Sequence, residues 1–342
     1  MTVSSPLQNA DKVPLHDDTD SHNKFGNDST FHSLPLVDTL FVWDFDWTIV
    51  NCNSDEYVPA SFLGVDVSTQ RLRKMIHRYG PTKWHDCVAS LINSCMEEQG
   101  CSMQDICNVA ASMPYLANVR GSLLDVNENR VHSCGQAIIS DGNTVFIREF
   151  LKANSMEHFF THGIETNIGE WNIAYNLSNN DETENPTTTT SHQPLFSVVH
   201  QSLKYGGHSC KSCPPNLCKS QVLLHILSRM GEVTKDNRPR IVYIGDGEND
   251  ACPAIHVLRE GDVLLARVGR KPMNPNSRVG EQMDDDDDDA TVTTTTTTTT
   301  RSDFGIIATI ERRQKDRLIP RCSISTWSTG TELRSRVRDL LK

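Results

Sequence analysis

Apolar residues of this chain come in short uninterrupted runs, a pattern typical of buried β-strands. Such runs predict five strands, in PLVDTLFVWDFD from Pro35, in GQAIIS ending at Ser140, near HFFTHGIET, in RPRIVYIGDGEND and in GDVLLAR. Polar or glycine-containing stretches follow most of these runs. The predicted strands are therefore separate elements joined by connections that also contain helices.

Between the first two strands the apolar spacing changes to three and four, which predicts several amphipathic helices from Val67 to Asn129. The same spacing predicts later helices in CKSQVLLHILSRMG and TELRSRVRDLLK. Strands that alternate with helices favour an α/β fold with a Rossmann-like, parallel doubly wound sheet. The helices grouped after the first strand predict a helical cap inserted at that point.

Composition divides the chain into a core, a cap and low-complexity segments. Residues 1–35 are polar and aperiodic, which predicts disorder. An acidic run and a threonine run lie within 283–301, and a polar tract fills 176–194. We expect a core of 36–55 and 133–342 that contains these two insertions, and a cap of 56–132.

Charge and composition exclude several classes of partner. The chain has 33 Lys and Arg against 44 Asp and Glu, a net charge of -11, which argues against nucleic acid. It contains no run of about 18 apolar residues that could span a membrane and no export signal. Its 11 cysteines then indicate thiols in a reducing compartment. We expect a cytoplasmic protein, and no protein partner is indicated.

Carboxylates follow two of the predicted strands. Asp44 and Asp46 come at the end of the first, and because they are two residues apart they should point the same way, with Phe45 in the core. Asp246 and Asp250 follow a later strand, and the carboxyl ends of parallel strands share one edge of a sheet. Carboxylates so close repel each other unless a cation neutralises them, and hard oxygen ligands suit Mg²⁺.

Two further groups could bind phosphate at the same edge. Ser140 ends a predicted strand and supplies a hydroxyl, and Lys219 begins a predicted helix and supplies a positive charge. The sequence therefore predicts a site for Mg²⁺ and a phosphorylated ligand.

The order of these parts resembles the haloacid dehalogenase (HAD) phosphatase superfamily. Four stretches, DFDWTIVNCNSD, ISDGNTVFI, HSCKSCPPNLCKSQVL and YIGDGENDACP, resemble one subfamily, the phosphoethanolamine/phosphocholine and pyridoxal-phosphate phosphatases. Plant relatives in that subfamily act on pyrophosphate or thiamine phosphate. The four stretches together are far more specific than any one alone.

The resemblance implies a role for each site residue. Asp44 would be the nucleophile that forms an aspartyl-phosphate, and Asp46 would protonate the leaving group and later activate water. Ser140 and Lys219 would bind the transferring phosphoryl group. Mg²⁺ would be held by Asp44, the backbone carbonyl of Asp46, Asp246 and, directly or through water, by Asp250. The implied activity is hydrolysis of a small phosphorylated metabolite under a closing cap.

Several alternatives stay open at this stage. Among substrates, phosphoethanolamine or phosphocholine comes first, pyridoxal 5′-phosphate second, and pyrophosphate or thiamine phosphate third. Asp55 and Asp141 could face a cationic head group, or could cap the helices that follow them. A phosphotransferase would use the same intermediate, and a binding or scaffold protein could keep the fold without catalysis. The six intact site residues argue against the scaffold.

Two local features do not follow from the resemblance. HSCKSCPPNLCK offers four possible zinc ligands, His208, Cys210, Cys213 and Cys218, although no second C-x-x-C pair accompanies them. The same stretch could instead be a rigid loop that positions the lysine after it. Trp47 is bulky where relatives have a smaller or charged residue, and we expect it either to pack against the cap or to alter the entrance.

Overall fold

The computed structural model describes residues 33–173, 194–204, 206–211, 213–231, 237–271 and 302–342. Seven strands form one sheet: β1 Thr39–Trp43, β2 Cys134–Asn143, β3 Ile164–Ile173, β4 Pro194–Val199, β5 Arg240–Gly245, β6 Val263–Arg267 and β7 Ser323–Trp327. Their order across the sheet is β4, β3, β2, β1, β5, β6, β7. All neighbouring strands are parallel except β3 and β4, so β4 is an antiparallel edge.

Helices connect these strands on both faces. They are α1 Ser54–Leu63, α2 Val65–Tyr79, α3 Trp84–Gln99, α4 Met103–Ala111, α5 Val119–Asn127, α6 Thr144–Ala153, α7 Gln201–Lys204, α8 Lys219–Arg229, α9 Ala251–His256, α10 Ile306–Lys315 and α11 Gly330–Leu340. No helix in the described ranges has both the length and the apolar character needed to cross a membrane.

The central strand β1 shows why the sheet is covered on both sides. All five of its residues are buried. Alternate side chains of a strand point to opposite faces. Phe41 and Trp43 enter a cluster that includes residues of α6 and α11, whereas Leu40 and Val42 enter a second cluster with residues of α8 and α10. The doubly wound α/β prediction is confirmed.

Individual elements agree with the sequence pattern in most places. All five predicted strands are present, but β2 continues past Ser140 to Asn143. Its pairing with β3 shifts register between Ile139 and Asn143, so the polar residues there occupy an irregular strand end. The elements β4, β7 and α10 have weak apolar patterns and were not predicted. The predicted disorder of 1–35 and the two insertions lie almost entirely outside the described residues.

The helices between β1 and β2 do not form a separate layer throughout. Here α4 packs against α6, and α5 packs against α11. Asp125 of α5 forms ion pairs with Arg334 and Arg338 of α11, at 2.7 and 2.8 Å. The start of α1 and the start of α3 instead lie beside the carboxyl ends of β1 and β2, where the polar groups gather.

Candidate functional site

A buried lysine joins two of the predicted site carboxylates. The Nζ atom of Lys219 donates to Oδ1 of Asp44 and to Oδ1 of Asp250, both at 2.7 Å. The side chains of Lys219 and Asp250 are fully buried, and that of Asp44 is nearly so. Lys219 begins α8, Asp44 follows β1, and Asp250 follows β5, so three connections meet at one edge of the sheet.

Asp250 has all of its acceptor positions occupied by the protein. Besides Lys219, Oδ1 accepts from the hydroxyl of Tyr243 at 3.0 Å. Its Oδ2 accepts from the backbone N–H groups of Asp246 at 3.2 Å and Gly247 at 2.9 Å. A carboxylate offers about four lone-pair positions, so these four bonds saturate it. Tyr243 was not predicted, because a tyrosine in a buried strand has the same pattern as a core residue.

The glycine at the end of β5 gives this carboxylate its space. A Cβ at Gly245 would lie 2.4 Å from Cγ of Asp250, closer than real Cβ contacts allow. The first glycine of GDGEND therefore lets the Asp250 side chain fold back beneath the strand end and reach Lys219.

The site carries an excess of buried negative charge. One carboxylate oxygen each of Asp44, Asp246 and Asp250 lie within 4.8 Å of one another. Lys219 is the buried ammonium among them, and the Nζ of the partly exposed Lys271 lies 3.9 Å from Asp246. When all three are ionised, the carboxylates exceed the one buried ammonium by two negative charges, which the partly exposed Lys271 offsets only in part.

The pKa values reflect the same imbalance. Burial, and then Asp250, raise the pKa of Asp44 well above its ordinary value, although Lys219 opposes the shift. Burial and Asp250 also raise the pKa of Asp246 to about 7. For Lys219, burial lowers the pKa, but Asp250 and Asp44 outweigh it and the net pKa lies well above the ordinary value. The oxygen donor set and the excess charge fit a divalent cation such as Mg²⁺.

Asp46 lies outside this charge cluster. Both of its oxygens accept hydrogen bonds from Ser54, from the backbone N–H at 3.0 Å and from the hydroxyl at 3.2 Å. Burial raises the pKa of Asp46 well above its ordinary value, and Asp55 raises it further. Asp44 and Asp46 therefore follow the same strand but differ in surroundings, while Phe45 between them is buried against Phe150, as predicted.

Ser140 is fully buried near the same end of the sheet. Its Oγ accepts from the backbone N–H of Gly142 at 3.1 Å, which leaves its own proton for another acceptor. A Cβ at Gly142 would lie 3.4 Å from Oγ of Ser140 and 3.5 Å from Oγ of Ser54. The two hydroxyls thus both lie close to Gly142. Ser54 was missed in the sequence because a serine at the start of a helix is usually read as a capping residue.

Neither Asp55 nor Asp141 caps a helix, so the helix-cap alternative is wrong for both residues. The residue that caps α1 is Asn53, which accepts from the N–H of Glu56, and the residue that caps α6 is Asn143. Asp55 is buried, with Oδ2 accepting from Nε1 of Trp84 at 2.8 Å. Oδ1 of Asp55 accepts from Asn143 at 3.4 Å. It links α1, α3 and the end of β2.

Asp141 forms a second link between segments at the carboxyl ends of the strands. Its Oδ2 accepts from Nδ2 of Asn249 at 2.9 Å, which joins the end of β2 to the segment after β5. The backbone carbonyl of Asp141 also accepts from Asn167 of β3 at 2.7 Å. These bonds hold together the connections that supply Ser140 and Asp246.

Trp47 adopts a left-handed backbone with φ of 58°, which is rare for a residue with a side chain. Its carbonyl oxygen accepts a hydrogen bond from Arg267 of β6. Its ring makes an edge contact with Phe304, and Nζ of Lys271 lies 4.9 Å from the ring centre. These contacts are with β6 and with core residues after it, so Trp47 packs on the core side of the site rather than on the predicted cap.

The predicted zinc ligands are brought together only in part. The Sγ atoms of Cys210, Cys213 and Cys218 lie within 4.8 Å of one another, and the fourth member of the group is Cys252. His208, the fourth ligand suggested by the sequence, instead forms a hydrogen bond of 2.9 Å to the carbonyl of Pro214. Cys252 follows β5 and is remote in sequence, so no local spacing pattern could reveal it.

Known proteins with similar sequences carry the names of phosphatases or pyrophosphatases. Residues 39–278 match the family model described as "Putative Phosphatase". The chain is 26% identical over 305 residues to "Probable phosphatase phospho2" of Xenopus tropicalis, which covers 89% of this chain and 99% of that protein. It is 27% identical over 250 residues to "Pyridoxal phosphate phosphatase PHOSPHO2" of Homo sapiens, covering 72% and 88%. It is 26% identical over 234 residues to "Thiamine phosphate phosphatase-like protein" of Arabidopsis thaliana, covering 68% and 81%.

Proposed function

The chain belongs to the "Putative Phosphatase" family and is a phosphatase, and on this premise we propose that it is a Mg²⁺-dependent phosphomonoesterase of the HAD type that works through an aspartyl-phosphate on Asp44. The observation that carries the proposal is the buried group of three carboxylates around Lys219. A divalent cation would balance its two excess charges, and phosphoryl transfer requires such charge stabilisation.

In this proposal Asp44 attacks phosphorus through Oδ2, because Oδ1 is held by Lys219. The ammonium of Lys219 also stabilises the negative charge on the transferring phosphoryl group, together with the hydroxyl of Ser140. Asp44 and Asp246 would hold Mg²⁺, which when bound neutralises their charge and polarises the phosphoryl group. Asp250, whose oxygens are saturated by protein donors, would act on the ion through water and mainly hold Lys219.

We propose that Asp46 acts first as the general acid for the leaving group and then as the general base for water. Burial and Asp55 raise the pKa of its carboxyl well above the ordinary value, which favours the protonated form that can donate to the leaving oxygen. The carboxylate that results then accepts a proton from the water that hydrolyses the aspartyl-phosphate. Ser54 fixes the orientation of this carboxyl group through both of its oxygens. We further propose that α1 and α3, which contribute Ser54 and Trp84, act as the cap that excludes bulk water.

For the substrate we place pyridoxal 5′-phosphate first, ahead of phosphoethanolamine and phosphocholine. Relatives named as pyridoxal phosphate phosphatases support this order. The carboxylates that could face a cationic head group, Asp55 and Asp141, are already engaged by Trp84 and Asn249. Thiamine phosphate and pyrophosphate are the next candidates, since relatives carry those names.

A phosphate-release assay over these five compounds tests the proposal. We expect hydrolysis that EDTA abolishes and Mg²⁺ restores, with kcat/KM for pyridoxal 5′-phosphate about 10-fold or more above that for phosphoethanolamine, about 1.4 kcal/mol in selectivity. The variant Asp246→Asn should need a higher Mg²⁺ concentration for half-maximal rate, whereas Asp66→Asn, on the exposed surface of α2, should not. Faster hydrolysis of phosphocholine would overturn the substrate order, and no release from any compound would overturn the phosphomonoesterase proposal.

The pH profile tests the proton-transfer role of Asp46. Ionised Asp55 favours the protonated form of Asp46, so Asp55→Asn should lower the pKa of Asp46. The acid form is then lost at lower pH, and the alkaline limb of kcat/KM for an alkyl phosphate should move down by about 0.5 to 1 pH unit. With p-nitrophenyl phosphate, whose leaving group needs no proton, the limb should not move. An unchanged limb for the alkyl phosphate would assign the acid to another group.

A further inference from the structure

Four cysteine sulfurs form a compact group beside the site but outside it. The Sγ atoms of Cys210, Cys213, Cys218 and Cys252 lie within 4.8 Å of one another, and those of Cys210 and Cys252 are 3.5 Å apart. Cys218 and Cys252 are buried and the other two are partly buried. The proposed phosphatase mechanism uses none of these sulfurs.

We propose that these four cysteines bind one structural Zn²⁺ ion. Four thiolates at about 2.3 Å from a single tetrahedral ion lie about 3.8 Å from one another. The observed group falls in this range, whereas the four cysteines of an iron–sulfur cluster are divided among two or more irons, so that not all of them lie this close together. Four sulfur ligands also select zinc over the oxygen-preferring Mg²⁺ of the neighbouring site.

The surroundings of the sulfurs support a metal site. Ser220 Oγ lies 2.9 Å from Cys252 Sγ, where its proton can stabilise a thiolate from outside the ligand shell. Cys210 and Cys213 have the C-x-x-C spacing of zinc loops, and Cys218 and Cys252 close the site from two other elements. A set of three protein ligands and an open position would indicate a catalytic zinc, but four cysteines complete a closed structural one.

The position of the four cysteines indicates which elements the zinc ion would hold together. Cys218 immediately precedes Lys219, and Cys252 comes two residues after Asp250. The ion would therefore fasten the start of α8, which carries Lys219, to the start of α9, which directly follows Asp250. This consequence rests on the proposed function, but zinc binding itself does not.

Elemental analysis of the full chain, produced in zinc-supplemented medium without a metal-binding tag, tests the site. We expect one zinc per chain in the wild type and in Asp44→Asn, which disables the proposed activity while leaving the cysteines intact. Cys210→Ser and Cys213→Ser should lose most of the zinc. The matched controls are His208→Ala and Cys322→Ser, since His208 lies outside the group and Cys322 is a buried cysteine elsewhere. Both controls should keep one zinc.

Two further measurements keep the test decisive if a cysteine variant fails to fold. Titration of the wild type with a thiol-specific mercurial should release one zinc as four thiols react. Chain loaded with Co²⁺ should show the thiolate charge-transfer and strong d–d absorption of tetrahedral sulfur coordination. Wild-type chain without zinc, iron in place of zinc, or loss of zinc in His208→Ala would each overturn the proposal. Zinc retained in an inactive wild type would instead overturn only the proposed function.

Discussion

Replacing Asp44 by asparagine is expected to lower kcat by about 10³-fold or more, because an amide cannot serve as the anionic nucleophile. The substitution keeps the shape of the side chain and leaves the ion pair of Lys219 with Asp250, at 2.7 Å, in place. Steady-state phosphate release gives the rate. Borohydride trapping followed by mass spectrometry should find a modified Asp44 in the wild type and none in the variant.

The stability of Asp44→Asn separates loss of chemistry from loss of fold. The pKa of Asp44 is raised by burial and by Asp250, so its ionised form at neutral pH costs folding free energy in the absence of a cation. We therefore expect the free energy of unfolding without Mg²⁺ to stay the same or increase. Added Mg²⁺ should raise the Tm of the wild type more than that of the variant. Full activity in Asp44→Asn would place the nucleophile elsewhere.

Replacing Lys219 by methionine is expected to lower the free energy of unfolding by about 3 to 5 kcal/mol at pH 7, because it leaves two carboxylates buried without their partner. The raised pKa of Lys219 means that its stabilising charge is fully present below its ordinary pKa and is lost only as the pH rises through the raised value. The loss should shrink as the pH falls, since Asp44 can then take up a proton. Activity should fall by at least about 10²-fold.

A matched substitution and a double variant test whether unpaired buried charge causes the stability loss of Lys219→Met. Lys152→Met removes an exposed lysine of α6 whose Nζ lies 3.6 Å from Glu149, and should change the free energy of unfolding by less than about 1 kcal/mol. The double variant Lys219→Met/Asp44→Asn should be about 1 to 3 kcal/mol more stable than Lys219→Met alone, because one unpaired charge is gone. Urea unfolding measures all three. Equal losses for Lys219→Met and Lys152→Met would contradict a buried charge cluster.

The sequence allowed the central strands and the charged end of the sheet to be predicted. In β1 and β5 uninterrupted apolar residues end at once in aspartates, and the topology of a parallel sheet brings such ends together. The structure indeed brings Asp44, Asp246 and Asp250 within a few ångströms and adds Lys219 between them. The family could also be inferred, because four local stretches each keep their own spacing.

Other parts of the site depended on contacts between distant segments. The sequence left Asp55 and Asp141 either as helix caps or as groups that face a cationic substrate. Neighbouring asparagines cap the helices, and the aspartates bind Trp84 and Asn249. A pattern within one segment cannot reveal which of several polar residues turns toward another segment. The same reason explains why no role was predicted for Tyr243 and why two alternatives stayed open for Trp47.

What the sequence by itself determined is the chemistry available at the strand ends, because strand periodicity and the connection of parallel strands are local properties of the chain. Only the tertiary structure decided which partner each of these side chains has. It pairs Asp44 with Lys219 and Asp46 with Ser54, and it completes the cysteine group with Cys252 rather than His208. Burial and side-chain contact are set by segments far apart in the chain, and these determine the direction in which the pKa of each carboxyl shifts and which thiol completes a site.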